Sequence, residues 1–144
     1  MINLSKIAVA SNGGGLEDQV SSVFGRCQTF TIVEAEDNEI KDSEVLQNQH
    51  ANARGGAGIQ AAGFLANQGV DAVIAGNFGP NVASVFNQSG IKMAPASGLS
   101  VREAVLKYLN GEIGTVSQPT AAAKSGGGAG RGMGGRRSSQ QKPS

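Results

Sequence analysis

The sequence of 144 residues has no tryptophan, one tyrosine, one cysteine and one histidine, and charged residues make up only 16% of it. A single cysteine excludes a disulfide within the chain and any metal cage built from cysteines alone. A metal at Cys27 would need other ligands or a second subunit. No apolar run approaches the roughly 18 residues that span a bilayer, and the opening MINLSKIAVA runs straight into a strand pattern. A cytoplasmic protein without a membrane partner is the expectation. Catalytic signatures are missing as well. There is no G-x-x-x-x-G-K-[ST], no Ser/His/Asp arrangement is indicated, and the strand pattern at residues 6–11 has no acid to hold paired metal ions as a nuclease would. Binding without turnover is therefore expected, and not an enzyme.

What the chain does have is glycine, 22 residues of it, and a charge asymmetry hidden by its net +1. Residues 1–123 carry 7 basic and 11 acidic side chains, whereas residues 124–144 carry 5 basic and none acidic. Seven glycines fall between Gly126 and Gly135, and Met133 is the one large apolar residue of that tail. Burial cannot offset its ordering entropy, so residues 118–144 are expected to be a disordered cationic tail after a domain spanning residues 1–117. Three readings of the tail stay open: an inert solubilising segment, salt-sensitive contact with nucleic-acid phosphates, or pairing with acidic surfaces, including other copies of this chain or anionic mineral. Without aromatic residues to stack on bases, nucleic acid is the least favoured partner.

Apolar runs and turn signals predict strands at 6–11, 28–36 and 39–47, with Asp37-Asn38 as a hairpin turn. A helix from 57 to 68, a strand at 71–76, a helix from Pro80 to Ser89 and a strand at 91–94 follow. Val101, Ala104, Val105, Tyr108 and Leu109 share one helical face, with Ser100 and Glu103 spaced as a capping box. The order βββαβαβα predicts an α/β fold: one mixed five-stranded sheet, order 3-2-1-4-5, flanked by three helices. That topology gathers the loops 12–27, 48–58, 76–81 and 95–100 at one end, where open α/β sheets bind ligands.

The longest of these loops, NGGGLEDQVSSVFGRC at 12–27, is the candidate centre of a site. Gly13, Gly14, Gly15, Gly56, Gly58 and Gly79 would permit close backbone approach to a ligand. Asn12, Asn77, Arg26 and Arg54 would hydrogen-bond an anion, and Cys27 or His50 would offer a metal bond. Arg26 beside Cys27 is expected to favour the thiolate; the competing reading of Cys27 is a small buried hydrophobe. The stretch Gly56-Ala57-Gly58-Ile59-Gln60-Ala61 matches G-x-G-x-x-A, but it does not directly follow a strand and lacks the acid expected about 20 residues on.

The blocks VASNGGGLEDQVSSVFGRCQTF, NARGGAGIQAA, GVDAVIAGNFGPN and GIKMAPASG resemble, in order, the dinitrogenase iron-molybdenum cofactor family, over about residues 4–116. The resemblance implies a ribonuclease H-like fold and the binding of metal-sulfur clusters. Nitrogenase cofactor carriers of that family place a histidine before the Phe-Gly of the first loop, where this chain has Val23. The Phe24-Gly25-Arg26-Cys27 version is similar to small stand-alone members. Some of these have a cationic glycine-rich tail and are associated with storing iron and sulfide as thioferrate. The implied cargo is thus an iron-sulfur cluster or thioferrate ahead of a molybdenum-containing cluster, with the tail promoting self-association.

Overall fold

The computed structural model describes residues 4–49, 51 and 56–117. His50, Arg54 and the segment 118–144 lie outside the described residues. The element order is β1 (Leu4–Ser11), β2 (Thr29–Glu36), β3 (Glu39–Gln47), α1 (Ala57–Asn67), β4 (Ala72–Ala75), α2 (Pro80–Ser89), β5 (Lys92–Pro95) and α3 (Val101–Leu109). The sheet runs β3-β2-β1-β4-β5. β1 pairs antiparallel with β2 and parallel with β4, β2 pairs antiparallel with β3, and β4 pairs parallel with β5. Order and strand directions are those expected from the sequence. The loops after β1, β3, β4 and β5 consequently share one end of the sheet.

Alternation along β1 divides the core. Ala8 and Ala10 face α1 and α2, joining Ala61, Leu65, Val82 and Phe86. Ile7 and Val9 face α3, joining Val101 and Val105. Small residues on one side of β1 leave room for aromatic rings there. All five phenylalanines of the chain form one connected cluster on that side, with ring centroids 5.3 to 6.5 Å apart.

Local chemistry sets the boundaries. Asp37 and Asn38 both have positive φ, 52° and 69°, the conformation that a two-residue hairpin turn requires and that these residue types tolerate. Pro80 opens α2 and Gly90, at φ 74°, closes it. Ser100 caps α3 by accepting from the Glu103 N–H (3.1 Å), while the Ser100 N–H donates to the Glu103 carboxylate (3.0 Å). Ser100→Ala leaves an N–H of the first turn without that acceptor and is expected to lower stability by about 1 kcal/mol in a urea titration. An unchanged midpoint would show that water replaces the cap at no cost.

Candidate functional site

The loop between β1 and β2 crosses the top of the sheet. Its first half lies on the α3 side, where Leu16 and Val20 join the α3 core and the carbonyls of Leu16 and Asp18 accept the Arg102 and Val101 N–H groups. Arg102 also reaches Glu17 through Nε (2.9 Å) and Nη2 (2.6 Å). Val20 to Ser22 then thread between β1 and β4. The Ser21 N–H donates to Ala10 O (2.7 Å), and the Gly76 N–H donates to Ser21 O (2.9 Å). The crevice where the strand order reverses is therefore filled by the loop itself. A Cβ on Gly76 would stand 2.7 Å from the Ser22 backbone, which is why the chain can pass there. The second half descends on the other side, with Phe24 and Cys27 in the α1/α2 core.

Most of the Asn12 to Gly15 backbone is engaged by the protein. The Asn12 and Gly14 N–H groups donate to Asp18 Oδ2 (2.7 and 2.8 Å), and the Gly15 N–H donates to Thr31 Oγ1 (3.0 Å). Burial raises the Asp18 pKa, but the hydrogen bonds from Gly14, Gln19, Asn12 and Gly13 together outweigh it and hold the carboxyl below its ordinary 3.8. A lowered folded pKa contributes stability that is present above the ordinary value and lost as pH falls through the folded one. Asp18→Asn is expected to flatten the acid limb of a pH–stability profile, and a superimposable profile would rule out this role.

Beneath the loop, Ser11, Thr29 and Thr31 form a buried hydroxyl chain. Gly15 N–H donates to Thr31, and Thr29 Oγ1 donates to Asn12 O (3.1 Å). Ser11 Oγ stands 2.7 Å from Thr29 Oγ1 and 2.9 Å from Thr31 Oγ1. One assignment of the protons satisfies every member: Gly15 to Thr31 to Ser11 to Thr29 to Asn12 O.

Phe24 is 5% exposed and touches Phe30, Phe78 and Phe86, so a residue of the loop sits at the centre of the aromatic cluster. Gly25, at φ 99°, lies against the start of α1; a Cβ there would stand 2.8 Å from Gly58 Cα. Gly58 in turn faces α2, where a Cβ would meet Val82 Cγ2 at 2.7 Å. Buried Asn48, at the end of β3, donates through Nδ2 to Gly25 O (3.0 Å) and Cys27 O (2.8 Å). The Phe24 N–H donates to Asn77 O (3.3 Å), and Asn77 Nδ2 donates to Ser22 O (3.1 Å). The start of α1, the start of α2 and residues 22–27 thus converge.

Cys27 is 3% exposed. Burial pushes its thiol up to about 11, against smaller downward pulls from hydrogen bonds with Gly25, Asn48 and Ser11. The expected thiolate is corrected accordingly: the neutral thiol is the resting form, and Arg26 Nη1 donates to Ala51 O (2.9 Å). Alkylation of native Cys27 by iodoacetamide at neutral pH should be at least ~10-fold slower than in urea, since the thiolate is the nucleophile. The raised pKa contributes stability that is complete below the ordinary 9.0 and lost as pH climbs towards 11. Equal alkylation rates would mean that the thiol is open to solvent.

The sequence-derived site residues therefore divide. Arg26, Cys27, Gly56, Gly58, Asn77 and Gly79 gather around the starts of α1 and α2, whereas Asn12, Gly13, Gly14 and Gly15 lie over the opposite face of the sheet. Of the glycines, Gly14, at φ 94°, is accounted for by Val45, whose Cγ1 a Cβ would meet at 2.4 Å, and Gly58 by Val82. Gly13 and Gly79 have open space where a Cβ would point. α1 and α2 have no side-chain cap at Gly56 and Gly79, in contrast to α3. Val23 is 47% exposed at the top of the loop. Among the described residues no group of three or more His, Cys, Asp or Glu is arranged to hold a metal ion. Two open concavities, of about 360 and 270 Å³, lie at the other end of the sheet, near Lys92 and near Lys6.

Sequence reasoning missed Asp18, Asn48 and Phe24. A lone aromatic among glycine and serine, which must find burial, was the available signal for Phe24. Asp18 had a weaker one, an acid within reach of a glycine-rich turn. Nothing local marks Asn48, whose side-chain amide donates to the carbonyls of Gly25 and Cys27, 23 and 21 residues away.

The chain is a mixed α/β domain with the starts of α1 and α2 uncapped beneath its long loops, and the comparisons give the family. Residues 5–111 match the dinitrogenase iron-molybdenum cofactor family. The apo form of the orange protein from Desulfovibrio gigas superposes with a TM-score of 0.76 at 32% identity, over 83% of this chain and 98% of that one. The uncharacterized protein MJ0580 of Methanocaldococcus jannaschii is 38% identical over 112 residues, covering 78% of this chain and 92% of its own. A second protein of that organism, MJ0327, is 26% identical over 119 residues, covering 83% of this chain and all of its own. The chain belongs to the dinitrogenase iron-molybdenum cofactor family. No helix among the described residues is long and apolar enough to cross a membrane.

Proposed function

We propose that this chain binds, carries or stores an anionic iron-sulfur or related metal-sulfide species without chemical turnover, and that its cationic tail promotes self-assembly. The observation that carries the reading is the convergence of Ser22 to Cys27, Asn77 and the uncapped starts of α1 and α2 in a member of a family named for a metal cluster. Such helix starts present N–H groups to an anion. With Cys27 buried and protonated, and no multi-ligand group among the described residues, the cargo is held by N–H groups and cationic side chains more than by metal-ligand bonds. Arg26, Arg54 and Asn77 would meet sulfide or oxo groups, Asn12 standing over the opposite face of the sheet, and His50 remains the candidate metal ligand. Thioferrate or an iron-sulfur cluster is the favoured cargo, and a molybdenum-containing cluster is the second choice.

Anaerobic reconstitution of the full chain with iron and sulfide, followed by element analysis, tests this. Iron and sulfide should co-elute with the protein, and Cys27→Ala should retain most of both. A colourless, iron-free protein that retains RNA in a salt-dependent way would instead favour an interaction module with a nucleic-acid-binding tail. Gly79→Ala fills open space at the start of α2 and costs the fold only a few tenths of a kcal/mol to about 1. Its iron uptake therefore reads the helix start separately from folding.

A further inference from the structure

The β2–β3 hairpin has six acidic residues, Glu34, Glu36, Asp37, Glu39, Asp42 and Glu44, and one basic residue, Lys41. Register makes this more than a charge run. Glu34 is paired directly with Asp42, and Glu36 with Glu39. Like charges facing each other across a ladder are destabilising; Lys6, opposite Glu34 on β1, and Lys41 offset only part of this. Ile32 faces the α1/α2 core, so Glu34 and Glu36, two and four residues on, share that face; Asp42, Glu39 and Glu44, opposite Glu34, Glu36 and Ile32, share it too. Lys41 is the extra residue at the register shift, and its Nζ is spent on Glu39 (3.1 Å). β3 is an outer strand of the sheet with most of its residues exposed. The carboxylates are not grouped to hold a metal ion. An array spread along a ladder fits an extended polycation instead.

We propose that the acidic face of this hairpin docks the cationic segment 124–142 of a second copy of the chain. The inference rests on the self-association reading above and names its surface. Lys124, Arg131, Arg136, Arg137 and Lys142 are interspersed with glycine and unaccompanied by any acid. The described chain ends beside β5, where the Val116 N–H donates to Met93 O (2.9 Å) and Asn87 Nδ2 donates to Ser117 O (2.8 Å). β5 and β3 are opposite edges of the sheet, about 19 Å apart at the usual strand spacing. A tail rooted at one edge and a docking face at the other make a head-to-tail contact, which closes where chains exchange tails reciprocally or in a ring and otherwise propagates.

Full-length chains test this by sedimentation at low and high ionic strength, where the Debye length is about 30 Å and about 3 Å respectively. Wild type should gain mass with concentration at low salt only. Glu34→Gln, Asp42→Asn and Glu44→Gln together alter exposed positions; this triple variant should associate at least tenfold more weakly, as should Arg131→Gln, Arg136→Gln and Arg137→Gln together. Mixing the two variants should restore a 1:1 complex that grows no further, since one supplies the tail and the other the hairpin. If the hairpin variant associates like wild type while the tail variant does not, the hairpin assignment is overturned and tail-driven association stands. A wild type that compacts at low salt without gaining mass would mean that the chain's own tail occupies the face. One whose mass and shape ignore salt would overturn both readings.

Discussion

Phe24→Ala is expected to lower the unfolding free energy by about 3–5 kcal/mol, a loss comparable to the whole stability of a marginal domain. Phe24 belongs to a loop, yet it is fully packed. Its ring is 5.4 Å from Phe30, 6.0 Å from Phe78 and 5.3 Å from Phe86, so truncation leaves a void ringed by three other aromatics on β2, α2 and the connection between β4 and α2. Phe30 and Phe86 are held by a strand and a helix that resist collapse inward, and the cavity therefore persists. Urea titration reads the loss directly, and Phe24→Leu, which keeps most of the volume, should recover more than half of it. A loss under about 1 kcal/mol would mean that the loop is a detachable cover. If the loop is part of the core, as its packing argues, the loop end is presented on a rigid platform and cargo binding does not have to order it first.

The fold was legible because its signals are local. Period-2 and continuous apolar runs marked the strands, Pro80 and Gly90 bounded α2, Ser100 and Glu103 began α3, and Asp37-Asn38 marked the one hairpin. Strand ends moved by a residue or two: β5 begins at Lys92 and β1 at Leu4, where pairing with neighbours decides the end. The long loop was legible as a loop, but the partners of its glycines were not. Its glycines suggest a cradle for a ligand; Gly14 makes room for Val45 and Gly25 for Gly58, and the Asn12 and Gly14 N–H groups serve Asp18, while Gly13 and Gly15 have open space. A glycine that admits a ligand and one that admits another stretch of backbone look the same in one sequence. Of the two readings of Cys27, the small buried residue is the one the structure bears out. Arg26 is adjacent to Cys27 in sequence, but Cys27 packs into the α1/α2 core beside Asn48 while Arg26 Nη1 reaches Ala51 O.

The same distinction gives the second large expected effect, Gly25→Ala. Gly25 has φ 99°, where an L side chain is strained, and its Cβ would stand 2.8 Å from Gly58 Cα. The backbone strain costs about 1–3 kcal/mol. The contact cannot be relieved by turning a side chain, because the opposing atom is helix backbone that is itself pressed on Val82; overpacking of this kind adds about 1–3 kcal/mol. A total destabilisation of about 2–6 kcal/mol is expected, measured by thermal and urea unfolding. Gly13→Ala is the control from the same loop. Its Cβ meets nothing within 4 Å, and its stability should stay within about 0.5 kcal/mol of wild type. If Gly13→Ala folds normally but binds less iron and sulfide, the open space at Gly13 is used by cargo. If Gly25→Ala were neutral, α1 would have to move off the loop freely, and the convergence of residues 22–27 with the two helix starts would not be the fixed platform that the proposed site requires.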